Sequence, residues 1–130
     1  MTSRLREGAL AELGEAGVDA ADVKVVEVPG AFEVPQMAAK LAGGGQYDGI
    51  VCLGCLIRGA TPHFEYISSA VAHGITQASL DTGVPMSFGV LTTNSAEEAL
   101  ERVAEGPSNK GREAAQAVLE MARAFGSLGA

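Results

Sequence analysis

A chain of 130 residues is the size of one compact domain, and 47% hydrophobic content with 5% aromatics and no tryptophan calls for a core of closely packed Ala, Val, Leu and Ile. Sixteen acidic against nine basic residues give a formal charge of −7, which argues against nucleic acid, whose binding needs clustered Lys and Arg. No apolar stretch approaches membrane-spanning length and the N-terminus lacks a basic-then-apolar signal pattern, so the expectation is a soluble cytoplasmic protein, one domain over residues 1–130.

Apolar spacing at Leu5, Ala9, Leu13 and Ala16 predicts a first amphipathic helix, stopped near Gly17. The β-branched run "VKVVEV", residues 23–28, reads as a strand closed by Pro29-Gly30. A helix follows from Glu33 to Leu41, ended by "GGG" at 43–45. Gly49 to Ile57 has almost no polar alternation, as expected of a strand covered on both faces in a parallel sheet. This run holds Cys52 and Cys55. The C-x-x-C spacing inside an apolar segment points to buried free thiols rather than an activated redox pair.

After Pro62, suited to a helix's first turn, Phe64, Ile67, Val71, Ile75 and Ala78 recur at helical spacing up to Gly83. "PMSFGVLTT", 85–93, is the third strand. Ser95 with Glu98 forms a capping-box pattern before a short helix through Val103. The last helix has Ala114, Ala115, Val118, Leu119, Ala122 and Phe125 as its buried stripe. Strands alternating with helices predict right-handed crossovers and a three-layer α/β/α sandwich with helices on both faces of a parallel sheet.

Ligands in such sheets collect beyond the carboxyl ends of the strands, and the polar candidates fall there. Gly59-Ala60-Thr61 before Pro62 offers small residues, a hydroxyl and free amides at a helix start, which either bind an anion or cap the helix. His63 is either an exposed helix-start residue or a proton carrier; His73, mid-helix, reads as structural. Glu33, in "PGAFEVP", is either solvated or a hydrogen-bond acceptor for a polyol. Arg102, Lys110, Arg112 and Glu113 read individually as solvated helix faces. Phe88 is core or, at a strand end, a platform for a heterocycle. Asn109-Lys110-Gly111 is too short to carry meaning alone.

As an ordered set, "VPGAFEVP", "GCLIRGATPHFEYI", "FGVLTTNSAEEALERV" and "NKGREAAQAVLEMA" closely resemble the 6,7-dimethyl-8-ribityllumazine synthase family, over about Thr2 to Met121. The resemblance implies a flavodoxin-like α/β fold. It implies condensation of 5-amino-6-ribitylaminouracil with 3,4-dihydroxy-2-butanone 4-phosphate, releasing phosphate and water, with no metal or redox cofactor. His63 matches the family's catalytic histidine, and Arg102 the arginine on the substrate phosphate, with Ala60 and Thr61 as donors on its other side. Ala31, Phe32 and Glu33 would contact the ribityl chain and pyrimidine, with Lys110 near the ribityl hydroxyls and Glu113 orienting the lysine or His63. Phe88 would come from a neighbouring subunit of a pentamer, and some members assemble pentamers into icosahedral shells. Arg58 would be the structural residue of its loop.

The pattern departs from the family at two places. Members begin with a strand ending in an aromatic-Asn pair, interior to the sheet, ahead of the helix at Thr2 to Ala16; its absence here would leave two neighbouring strands with unpaired backbone groups. In "EGPSNKG" a glycine more often precedes Asn109. The alternative to the enzyme is a non-catalytic oligomeric scaffold or a lumazine- or flavin-binding carrier of the same fold.

Overall fold

A computed structural model of the chain describes residues 1–128. Its elements follow in the order α1 (Thr2–Glu15), α2 (Val34–Gly43), β1 (Ile50–Ile57), α3 (His63–Thr82), β2 (Met86–Thr93), α4 (Ala96–Arg102) and α5 (Lys110–Ser127), with 3-10 turns at Ala20–Asp22 and Ala31–Glu33. Gly83, in the left-handed region at φ 74°, ends α3 where the sequence places its stop.

β1 and β2 pair in parallel, with Ile50 opposite Met86 and Ile57 opposite Thr93. Residues two apart share a face of a sheet, and each face here has its own core. Cys52 and Val90 are buried with Val34 and Ala38 of α2 and Val71 and Ile75 of α3. On the other face Leu91, flanked by Leu53 and Cys55, is buried with Leu5 of α1 and Val103. Helix α5 covers that second face closely. A Cβ on Gly89 would stand 2.9 Å from Ala114 Cβ and 2.7 Å from the Cys52 carbonyl, so only glycine permits this approach. Arg112 of α5 donates to Glu12 of α1 at 3.1 Å and also to Glu15. It is a clamp between helices, not the solvated face expected of it. Helices on both sides of a parallel sheet make the three-layer α/β architecture.

The expected strand at 23–28 does not form. Val23 is extended, at φ −111° and ψ 120°, as β-branched residues favour, but a strand also needs ladder bonds to a neighbour. Past Val23, whose N–H donates to the Ala20 carbonyl, no backbone bond involves residues 24–28 among the described residues. Val25 is half-exposed while Val28 reaches the α2–α3 core. An Arg6–Glu27 ion pair of 3.1 Å ties the segment to α1. The sheet therefore has two strands among the described residues instead of three. Ile50 donates to the Pro85 carbonyl and Arg58 to that of Thr93, so the even-numbered backbone groups of β1 face β2. Those of Val51, Leu53, Cys55 and Ile57 face an edge with no partner strand among the described residues.

Three residues apart in a strand, Cys52 and Cys55 point to opposite faces and cannot pair; both are free. Burial pushes the Cys52 thiol up to about 12. Burial also raises Cys55, against the opposing charge of the amino terminus, but this residue is half-buried rather than buried as expected.

Candidate active site

Parallel pairing brings the loops after β1 and β2 to the same end of the sheet. The third loop joins them by packing. The Ala31–Glu33 turn lies against β1, and a Cβ on Gly54 would meet Ala31 Cβ at 3.6 Å.

The segment 58–63 is exposed throughout. Helix α3 begins one residue later than expected, with Pro62 as its N-cap. Among the described residues the Thr61 hydroxyl accepts only the His63 N–H, at a long 3.4 Å. This is a weak cap, and it leaves the hydroxyl and the loop amides accessible to an anion. His63 is the first residue of α3, exposed, with no hydrogen bond to its ring among the described residues. His73, by contrast, has Nδ1 2.9 Å from the Ser69 carbonyl one turn back, a local helix contact.

Helix α2 starts at Val34, after the 3-10 turn, instead of at Glu33. The turn leaves Phe32 59% exposed, a large aromatic held open to solvent rather than buried. The Glu33 carboxylate curls back over Gly30, where a Cβ would stand 3.2 Å from its Oε1. Glu33 and Ala31 are half-buried.

Arg102 ends α4. Its NH1 pairs with Glu98 Oε1 at 2.9 Å and donates to the Glu98 carbonyl at 3.3 Å. Nε and NH2 stay unengaged among the described residues. Ser95 caps this helix as expected, accepting the Glu98 N–H at 3.1 Å. The Glu98 carboxylate departs from the reciprocal box and takes the Asn94 N–H at 3.3 Å.

A cleft of about 450 Å³ at the outer side of β2 is bordered by Phe88, Lys110 and Glu113, with Ser87 and Ala114 at its floor. Lys110 Nζ lies 3.2 and 3.1 Å from the two Glu113 oxygens, one of the two partners the resemblance offered this carboxylate. Phe88 is the third residue of β2, opposite Cys52, not at the strand end. It is 46% exposed. The candidates thus form two groups. Ala31, Phe32, Glu33, Ala60, Thr61 and His63 gather at the carboxyl end of the sheet, and Phe88, Lys110 and Glu113 line the lateral cleft, which none of the first group borders.

Two residues carry more than their sequence context indicates. Arg58 bonds at once to Asn94 and Glu65 and stacks on Phe64. Asn109 is buried as the N-cap of α5. A hint of the second lay in its position before a long amphipathic run, where Asn is a favoured cap. Among the described residues no group of three or more His, Cys, Asp or Glu side chains is placed to hold a metal ion. None of the described helices is long and apolar enough to cross a membrane.

A family model described as 6,7-dimethyl-8-ribityllumazine synthase matches residues 1–125. The chain belongs to the 6,7-dimethyl-8-ribityllumazine synthase family. A curated relative with that name, from Syntrophus aciditrophicus (strain SB), is 53% identical over 119 residues, spanning 92% of this chain and 77% of that protein. The lumazine synthase match includes all the segments just described, from the turn after Pro29 to the start of α5.

Proposed function

We propose that this protein condenses 5-amino-6-(D-ribitylamino)uracil with 3,4-dihydroxy-2-butanone 4-phosphate to 6,7-dimethyl-8-ribityllumazine, phosphate and water. One observation carries the reading: "RGATPHF", Arg58 to Phe64, stands exposed at the carboxyl end of a parallel sheet in a chain that matches the lumazine synthase family over residues 1–125. The chemistry asks for little beyond proton transfer and a grip on an anion. The 5-amino nitrogen adds to the ketone and water leaves, giving an imine. Loss of a neighbouring C–H proton then expels phosphate, the resulting enol becomes a ketone, and the ribitylamino nitrogen closes the ring with loss of a second water.

His63, exposed and without a competing ring partner, is the proton carrier in this reading. Arg102 keeps Nε and NH2 for the phosphate while Glu98 fixes its NH1. The Ala60 amide and the Thr61 hydroxyl grip the phosphate from the other side. Ala31, Phe32 and Glu33 receive the pyrimidine and ribityl chain. Lys110, held by Glu113, meets the ribityl hydroxyls, and Phe88 lines the pyrimidine pocket of the adjacent copy. The separation of the candidates into two groups supports a site shared between neighbouring copies in a cytoplasmic homopentamer, or an assembly of pentamers.

Mixing the two substrates with the protein is expected to give a product with lumazine absorbance and fluorescence. Amines and ketones condense unaided in water, so much of the acceleration comes from holding the reactants together. His63→Ala is therefore expected to slow turnover about 10²-fold, the lower end for a lost acid/base group, with phosphate binding retained. Unchanged turnover in that variant removes His63 from its role. Binding of the ribityl compound with no product from the unaltered protein would indicate a carrier instead.

A further inference from the structure

We propose that Arg58 is a positioning residue of the condensation site, coupling the helix start that carries His63 to the helix that carries Arg102. This inference rests on the function proposed above. Arg58 is anchored at the end of β1, where its N–H donates to the Thr93 carbonyl at 2.8 Å and extends the ladder by one rung. From that anchor one planar group serves three partners. Nε donates to Asn94 Oδ1 at 2.9 Å, NH1 donates to Glu65 Oε1 at 2.5 Å, and the guanidinium carbon sits 4.8 Å from the centre of the Phe64 ring. Phe64 and Glu65 directly follow His63 in the first turn of α3, so two of the three contacts act on the backbone that aims the imidazole.

The third contact leads elsewhere. The Asn94 N–H donates to Glu98 Oε2 at 3.3 Å, and Glu98 Oε1 holds Arg102 at 2.9 Å. Glu65, Arg58, Asn94, Glu98 and Arg102 thus form a continuous polar chain across the carboxyl end of the sheet. Only a planar fork can donate in two directions while its face covers an aromatic ring; a lysine ammonium is a single point of charge. The Arg58 and Glu65 side chains are 47% and 60% exposed, and an ion pair so exposed adds little to stability. Placement is where such a chain has leverage, because an error of about 1 Å in a reacting group costs up to about 10²-fold in rate.

The test compares Arg58→Gln, Arg58→Lys, Asn94→Ala and the Arg58→Gln/Asn94→Ala double variant with the unaltered protein, reading kcat and KM for the phosphorylated ketone alongside thermal unfolding. Arg58→Gln is expected to lower kcat about tenfold or more with its unfolding temperature nearly kept. Arg58→Lys should recover little of the loss, and the double variant should be no slower than Arg58→Gln, since both break one chain. A readout independent of turnover is amide hydrogen exchange. In Arg58→Gln it should accelerate together in Phe64–Tyr66 and in Asn94–Glu98, and not in α5. Unchanged kcat, full activity of Arg58→Lys, a rate loss no larger than the unfolded fraction, or exchange changing on one side only would each overturn the proposal. If the unaltered protein makes no lumazine, the functional reading fails by itself, and the paired exchange response still decides whether Arg58 couples the two helices.

Discussion

Asn109 is 4% exposed and meets four backbone groups at once. Its Oδ1 accepts the Gly111 and Arg112 N–H groups at 2.8 and 3.2 Å, and its Nδ2 donates to the carbonyls of Val103 at 3.0 Å and Arg4 at 3.4 Å. The amide also fills the space beside Gly8, where a Cβ would stand 2.1 Å from Oδ1. Asn109→Ala loses the cap and strands the buried Val103 carbonyl, at a cost of about 2–4 kcal/mol, to be read as a lower denaturant midpoint with unchanged slope. A change under about 0.5 kcal/mol would mean that water replaces the amide without penalty. The contrast with Ser95 explains why one cap was legible and the other was not. Ser95 meets its partner three residues on, a spacing visible in any window. Asn109 meets Arg4 across 105 residues, and nothing in "NKG" points that far. Among the site candidates, His63 and Thr61 were readable as a helix start for the same local reason, and the contact of Lys110 with Glu113 spans only three residues.

At the scale of elements, β1 and the segment 23–28 have similar β-branched composition and different fates. Among the described residues only β1 has a strand partner for its backbone. The alternation within β1 makes this measurable. The N–H groups of Cys52, Gly54 and Leu56 face β2, whereas those of Leu53 and Cys55 face the open edge. Hydrogen exchange is expected to be slow at the first three and fast at the other two, as well as at Lys24 to Glu27. Equal protection along all of β1 would show that something pairs with the second edge in solution. The charges of Lys24 and Glu27 on this extended segment act against unwanted strand pairing, a common way of blunting an edge. Helix α5 was predicted from a stripe of Ala114, Ala115, Val118, Leu119, Ala122 and Phe125; the first three are buried here, Leu119 and Ala122 are half-buried, and Phe125 is exposed. Its clamp to α1 through Arg112 was not, because Glu12 and Glu15 lie nearly a hundred residues away.

For the whole molecule, the important fact is that the two groups of candidate residues lie on different sides of one copy. A shared site predicts complementation. His63→Ala protomers still supply Lys110, and Lys110→Ala protomers still supply His63, so unfolding and reassembling an equal mixture should restore about a quarter of the sites in a ring formed at random. Neither variant alone should approach that activity. No recovery in assembled mixtures would place His63 and Lys110 in the same copy's site. The net charge of −7 does not oppose an anionic substrate at such a place, since Arg102 and Arg58 are concentrated at the sheet's carboxyl end and charges beyond a Debye length, about 8 Å at physiological salt, are largely screened.

By itself the sequence determined the helices, the two paired strands, the end of the sheet where chemistry gathers and the family to which the chain belongs, because each is written in periods and motifs spanning a few to some twenty residues. Tertiary structure alone decided which extended segment became a strand, which asparagine was buried, which arginine became a hub and which carboxylate the lysine took. The physical reason is that backbone preference and burial period are properties of neighbours in sequence, whereas a hydrogen bond or ion pair is completed by a partner that only folding brings near.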